Sequence, residues 1–502
     1  MTKLVGKQTG EGIVRNVIYG ALTWVLPLGL NLTATPIIVR SLGNRDYGIY
    51  ALILGFIGYS FTFNFGRAIT KYIAEYRHSG ETGKIRDVIS ASFFLSVIVG
   101  FAGIALICGS AGWLVRDVFQ IEPEAQDRTI HAMYIASGVI FFWGLNMVFN
   151  AVLQGLQRFD VYSKIYTGMT FALTLGNLGL AYAGFDLRAL LGWNLAVLML
   201  SSTVFAIAAR KLLPEFGIHL KFERATLLQV LKYSAAILAY QVFANVLVLF
   251  ERGWITQRLG TESLTYYAVP LLLGIYLHSF IASLVLVIFP LASELKNERD
   301  KLLRLYLKAT KIISLIVVFV VASVVVQSSI FMDLWMGIDF RERSSDLLIL
   351  QIVCFGLIAI MTVSWQMTEG LGFPQWNAAT ALVCSSIGIS LMIALADDLG
   401  NFGVAVSRLT GFAVIFLSIF LVERWFFNGV QIRFWLRLIP LLAIAALAAA
   451  ACEYGINQLL PQSWPTLILS VTSGGVSYCG ILWMLSFITE DEKILFNRVL
   501  GR

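Results

Sequence analysis

Apolar segments of about twenty residues follow one another along this chain, separated by short polar breaks. Wound as an α-helix, a segment of that length crosses the ~30 Å hydrocarbon core of a bilayer. Runs such as IISLIVVFVVASVVV and LIPLLAIAALAAAA do not alternate polar and apolar residues. They therefore do not fit a closed β-barrel, the other backbone arrangement that lipid tolerates. Only 13% of the 502 residues are charged, and 58% are apolar. A soluble protein needs about a quarter of its residues charged. The expected fold class is an all-α integral membrane protein.

Fourteen spans are expected, at roughly 14–39, 47–70, 88–113, 130–154, 162–184, 189–209, 233–256, 264–291, 312–336, 346–368, 377–396, 403–422, 438–458 and 466–488. With the N-terminus inside and the sides alternating, 26 of the 37 Lys and Arg fall on inner segments and 9 on outer ones. Acidic residues divide evenly. An asymmetry confined to basic residues marks the cytoplasmic side, so both termini are expected in the cytoplasm. The net charge of +7 is then a membrane signature rather than a nucleic-acid one. The opening MTKLVGKQTGEGIVRN lacks a short apolar core with a small-residue cleavage site, and an uncleaved first span is expected. Cys108, Cys354, Cys384, Cys452 and Cys479 all lie in apolar runs and read as buried apolar residues, not disulfides or metal ligands.

Residues 39–51, VRSLGNRDYGIYA, align with residues 256–268, TQRLGTESLTYYA, at one offset. Leu42-Gly43 falls on Leu259-Gly260, and Tyr50-Ala51 on Tyr267-Ala268. Six spans separate the copies, which implies two six-helix lobes in parallel repeat, a transporter-style arrangement. The expected division is an N-lobe at 1–210, a C-lobe at 211–424 and two extra helices at 425–502. The basic amphipathic segments RKLLPEFGIHLKFERATLLQVLK and ELKNERDKLLRLYLKATK are expected to be interfacial helices on anionic lipid.

Polar residues recur at helical spacing on three spans: Asn16, Gly20, Thr23, Pro27, Asn31 and Thr35; Gln241, Asn245 and Arg252; Tyr267, Gly274 and His278. A polar stripe on a membrane helix faces protein or water. Close helix packing and a hydrated cavity between lobes both account for such stripes, and the density of amides and cations favours the cavity. On the second span, Gly48, Gly55, Tyr59, Thr62 and Gly66 form a small-residue face suited to close packing.

No GxxxxGK[ST] run, HExxH, His/Cys cluster or Gly-x-Ser-x-Gly elbow occurs. No enzyme activity, cofactor or metal is expected, and work would be driven by ion gradients or membrane potential. Asp397-Asp398 and the pair Glu122 and Glu124 read as solvated turns. Ionisable residues in or beside spans are functional candidates. Arg67 and Lys71 either snorkel to the inner headgroups or meet an anionic headgroup, which the planar guanidinium suits. Arg408 reads as structural pairing and Arg40 and Arg258 as lipid anchors. Glu251 is the candidate for a proton or cation site, and Glu369 a weaker one.

LGNRDYGIYAL followed by FGRAITKYIAEY, then LQGLQRFDVYSKI, ERGWITQRLGTESLTYYAV and IFPLASEL, resembles the polysaccharide-unit flippases, the Wzx-type O-antigen and exopolysaccharide exporters of the MATE/MurJ-like superfamily. The resemblance covers most of residues 10–300. It implies a bacterial cytoplasmic-membrane protein that moves a lipid-linked oligosaccharide, typically on undecaprenyl pyrophosphate, from inner to outer leaflet by alternating access around a cationic cavity. Polysaccharide polymerase and a chain-length regulator are partners the reading allows, with anionic membrane lipids around the protein. The uncharged interior of the first span between Arg15 and Arg40 departs from the lipid II flippase, where that span carries an arginine cluster. It also lacks the acidic residue of cation-coupled multidrug exporters. On this reading Arg67, Lys71 and Arg252 hold phosphates, and Asn31, Gln241, Asn245 and His278 meet sugar hydroxyls. A cation-coupled multidrug antiporter is the alternative; a membrane glycosyltransferase or polymerase is a weaker one.

Overall fold

The computed structural model describes residues 28–60, 66–79, 81–156, 158–213, 217–219, 224–285 and 288–485. Regular structure among them is helical. It comprises α1 (Leu28–Leu42), α2 (Asn44–Ser60), α3 (Gly66–Ser79), α4 (Thr82–Trp113) with a π-helical extension (Leu114–Val118), α5 (Pro123–Gly155), α6 (Phe159–Tyr182), α7 (Leu187–Leu212) and α8 (Arg224–Val285). It continues with α9 (Ile288–Glu294), α10 (Arg299–Met336), α11 (Ile338–Leu371), α12 (Pro374–Ala413), α13 (Ile415–Phe426), α14 (Ile432–Leu459) and α15 (Trp464–Met484). Nine helical stretches among the described residues are long and apolar enough to cross a membrane. α8 and α12 each run through a non-helical glycine, Gly260 and Gly400, so each is two helical segments laid end to end.

Local sequence sets the helix ends. Pro123 and Pro374 open α5 and α12, where the missing proline N–H costs nothing. The Asp186 carboxylate accepts from the N–H groups of Arg188 (3.1 Å) and Ala189 (3.3 Å) and caps α7. Gly43 and Gly260, the matched glycines of the two repeat copies, share a left-handed conformation with φ of 81° and 85°. Each precedes a helical segment. A side chain there would be strained, so both copies of the repeat call for glycine at this position.

The chain packs as two compact units, Met1–Thr265 and Tyr266–Arg502. The division by packing therefore falls inside α8, whereas the repeat places it before the seventh span. The core of the first unit joins α3, α4, α5 and α7 through Ile69, Ile73, Ile89, Val148, Val152 and Phe205. Gly155 lets α5 approach Ile73 of α3 closely. In the second unit, Leu438, Leu442, Ala445 and Ala449 form one stripe of α14 that packs on Tyr478 and Leu482 of α15 and on Phe319 of α10. α11 is the most enclosed helix, with 67% of its apolar window buried, against 22% for α14 and α15. The C-terminal pair turns most of its surface outward.

Two expectations change. ELKNERDKLLRLYLKATK does not end as a separate interfacial helix, because Arg299 opens α10 and the helix runs on to Met336. Leu302, Tyr306, Thr310 and Ile313 are buried on one stripe, and this packing makes the basic segment the first turns of a long helix. Cys354 and Cys384 are buried as expected, but Cys108 and Cys479 are exposed on outward helix faces.

Candidate functional site

The small-residue face of α2 packs against the part of α8 that precedes Tyr266, within the first unit. A Cβ on Gly48 would overlap the Thr261 carbonyl, and one on Gly55 would overlap the Arg252 guanidinium. Thr265 Oγ1 donates to the Asn44 carbonyl at 2.5 Å in the same seam. The absent side chain of Gly55 makes room for the guanidinium of Arg252, which donates through Nη1 to the Ala51 carbonyl. It also lies 5.8 Å from the centre of the Tyr59 ring. Two turns earlier on α8, Asn245 Nδ2 donates to the Tyr59 carbonyl at 3.0 Å. Arg252 and Asn245 thus meet at Tyr59. Arg252 is buried and Glu251, its neighbour, is fully buried. Gln241 is half-buried, and its Oε1 is enclosed with no hydrogen-bond partner among the described residues.

A second polar group lies on α1, α2, α6 and α7. Thr174 Oγ1 donates to Asn31 Oδ1 at 3.0 Å. Tyr50 Oη accepts from Asn194 Nδ2 at 3.0 Å and from Asn177 Nδ2 at 3.5 Å, and Asn177 Nδ2 also donates to Asn194 Oδ1 at 2.8 Å. Asn177 Oδ1 is buried without a hydrogen-bond partner among the described residues. These five side chains are neutral donors and acceptors, and Asn31, Tyr50 and Asn194 are only half-buried. Asn16, Gly20, Thr23 and Pro27 of the first-span stripe, and Thr62 of the second, lie outside the described residues.

Arg67 and Lys71 stand exposed on α3, with Lys71 Nζ 5.0 Å over the Tyr72 ring. His278 belongs to the second unit, half-buried, with Nε2 3.5 Å from Thr362 Oγ1 and its ring 6.3 Å from Phe355. Phe355 also carries Arg408, whose guanidinium lies 5.1 Å from its ring centre and 5.8 Å from that of Phe412. At a helix end away from the spans, Arg45 pairs with Glu122 (3.6 Å) and Glu124 (3.3 Å), and Arg128 with Asp46 (2.5 Å). Burial pushes the Asp46 carboxyl up, against the opposing pull of Arg128 and Arg45. Asp397 and Asp398 are exposed beside the Gly400 break.

Two buried acids escaped the sequence reading. Glu453 of α14 accepts from Ser323 Oγ (2.6 Å) and Gln327 Nε2 (3.1 Å) of α10. Gln327 also donates to Ser470 Oγ of α15 at 2.7 Å and accepts from Asn457 Nδ2 at 3.0 Å. Glu423 of α13 accepts from Tyr306 Oη (3.0 Å), Trp435 Nε1 (2.7 Å) and the Gln431 backbone N–H (2.7 Å). Glu453 continues the stripe Leu438, Leu442, Ala445, Ala449 by one turn. That periodicity was the available signal that its carboxylate points into protein.

A family model described as polysaccharide biosynthesis protein matches residues 37–345. The chain is 20% identical over 401 residues to a putative O-antigen transporter of Shigella flexneri, a match covering 79% of this chain and 94% of that one. The fold is similar to lipid II flippase MurJ in an inward closed conformation, with a TM-score of 0.73, 13% identity, and 97% of this chain and 100% of that chain covered. It is also similar to an inward-facing multidrug resistance MATE family transporter of the MOP superfamily, with a TM-score of 0.68, 16% identity, and 82% and 98% covered.

Proposed function

The chain belongs to the polysaccharide biosynthesis family, in the Wzx-type branch of the MATE/MurJ-like superfamily, and on that premise we propose that it is a flippase for polyprenyl-pyrophosphate-linked oligosaccharide. The observation that carries the reading is the neutral group of Asn31, Tyr50, Thr174, Asn177 and Asn194, half open inside a membrane-spanning unit that also buries Arg252. Amides, a hydroxyl and a phenol suit sugar hydroxyls, and a guanidinium suits phosphate oxygens. A sugar headgroup alone in hydrocarbon would leave each polar group unsatisfied at a cost of several kcal/mol. A polar path across the protein removes most of that barrier while the polyprenyl tail stays in lipid.

In this account Arg67, Lys71 and Arg252 hold phosphate, and Asn31, Gln241, Asn245 and His278 meet sugar. The protein sits in a bacterial cytoplasmic membrane through fourteen spans, with both termini inside. Residues 1–210 and 211–424 act as the two lobes and 425–502 as an added pair. It performs no covalent chemistry and works beside a polymerase and a chain-length regulator. A cation-coupled drug antiporter would call for an acid in the α1–α6–α7 group, where the residues named are neutral.

The test is export of surface polymer. Arg67→Ala combined with Arg252→Ala, at unchanged membrane abundance, is expected to abolish export and to leave lipid-linked units on the inner leaflet. Normal export by the double variant removes the assigned roles. Gained drug resistance with no glycan defect would select the antiporter.

A further inference from the structure

Four helix ends of the second unit meet at one place: the start of α10, the end of α11, the start of α12 and the end of α13. α10, α11 and the stretch Gln375–Phe426 that holds α12 and α13 are each long and apolar enough to cross a membrane, so their junction lies at the level where hydrocarbon gives way to headgroups. A surface pocket of about 230 Å³ opens there, lined by Lys296, Arg299, Leu371, Phe373, Trp425 and Phe426. Both cations are exposed, and no carboxylate among the described residues lies within ion-pair distance of either. Of the acids nearby, Glu298 pairs with Lys301, and Glu369 accepts from Trp365 Nε1 at 3.0 Å.

The wall opposite the cations is aromatic. Phe373, Trp376, Trp425 and Phe426 form a cluster with ring centroids 5.1–5.8 Å apart. Trp425 is 66% exposed. An exposed indole beside two cations is the chemistry of a membrane interface. From there α13 runs back into the apolar zone, and its Phe420, Leu417 and Phe416 are exposed. A soluble anion has no use for that apolar track, whereas a phospholipid has.

We propose that this pocket is a headgroup site for an anionic glycerophospholipid. The phosphate lies between Lys296 and Arg299, the glycerol against Phe373 and Trp425, and the acyl chains along the outer face of α13. The site anchors the second unit to anionic lipid. It rests on the membrane-spanning fold and not on the transport reading.

The experiment uses the full chain in neutral detergent. Its thermal midpoint is measured on titration with phosphatidylglycerol, phosphatidylcholine or inorganic phosphate. Phosphatidylglycerol is expected to raise the midpoint, and the other two to leave it unchanged. In Lys296→Gln/Arg299→Gln the half-saturating phosphatidylglycerol concentration is expected to rise roughly thirtyfold. Lys308→Gln, an exposed cation of α10 outside the pocket, should respond as the wild type does. Native mass spectrometry of retained lipid gives the same comparison should the lipid-free midpoints differ. An unaltered phosphatidylglycerol response in the double variant overturns the site. An equal loss in Lys308→Gln would reduce it to diffuse surface charge, and an equal shift with inorganic phosphate would remove the lipid. Arg252→Ala should keep the full response, which separates this outcome from failure of the transport reading.

Discussion

Replacing Glu453 by alanine tests how the C-terminal pair is held to the rest of its unit. The carboxylate takes one hydrogen bond from Ser323 and one from Gln327, both on α10. Interhelical hydrogen bonds in membrane proteins contribute ~0.6 kcal/mol on average and up to ~1.7 each, so the two supply about 1–3 kcal/mol. The lost γ-methylene and the void behind it add about 1 kcal/mol. Glu453→Ala is therefore expected to lower unfolding free energy by about 2–4 kcal/mol. The loss should be read by SDS titration in mixed micelles. The donors left behind, not the missing acid, cause most of it. Ser323→Ala/Glu453→Leu, which removes the acceptor with one of its donors and leaves Gln327 its bonds to Ser470 and Asn457, should recover more than half. Glu453→Ala unfolding within about 0.5 kcal/mol of the wild type, or a double variant as unstable as the single, would refute the reasoning.

Two further substitutions probe close contacts. Gly48→Ala puts a Cβ against the Thr261 carbonyl, and backbone cannot swing aside as a side chain can, so a loss of about 1–3 kcal/mol is expected. Gly58→Ala on the same helix meets nothing within 4 Å and should be neutral or stabilising by up to ~1 kcal/mol; equal effects at the two positions would contradict the α2–α8 seam. Glu423→Ala strands the Tyr306 hydroxyl, the Trp435 indole N–H and the Gln431 N–H. It should cost about 3 kcal/mol or more, and an unchanged unfolding midpoint would show that the clip does not hold α14.

Much of this architecture was legible because lipid leaves few choices. Helix is imposed wherever twenty apolar residues must satisfy their own backbone. The Leu-Gly pairs announced turns that Gly43 and Gly260 then make with nearly equal φ. The small face of α2 announced a tight seam, and Gly48 and Gly55 lie in it. What stayed hidden depends on residues far apart in the chain. Nothing around Arg252 states that its guanidinium meets the Ala51 carbonyl, 201 positions away. Nothing around Ser323 and Gln327 states that the fold sets Glu453 against them, 130 and 126 positions on. The basic start of α10 reads in sequence as a separate helix because its charges speak for an interface, while its buried stripe makes it the first turns of a longer one.

On the proposed transport reading, the sign and setting of buried charge separate what holds the fold from what handles cargo. Glu423 and Glu453 each have donors on both carboxylate oxygens, supplied by neighbouring helices of one unit. Such a group is fixed by every partner it has, and moving it costs all of them at once. Arg252 and Arg408 are held in another manner, with the guanidinium carbon 5.1–5.8 Å from aromatic ring centres. Stacking engages the face of a guanidinium and hydrogen bonding its edge. The packing can persist while the edge changes partners. The proposed role, in which the cation releases a carbonyl and takes a phosphate oxygen and then reverses the exchange, needs that separation of face from edge. Lysine keeps the charge but has neither a plane nor a fork, so Arg252→Lys is expected to impair polymer export although its charge is unchanged. Full export by Arg252→Lys at wild-type abundance would reduce the requirement at this position to charge alone.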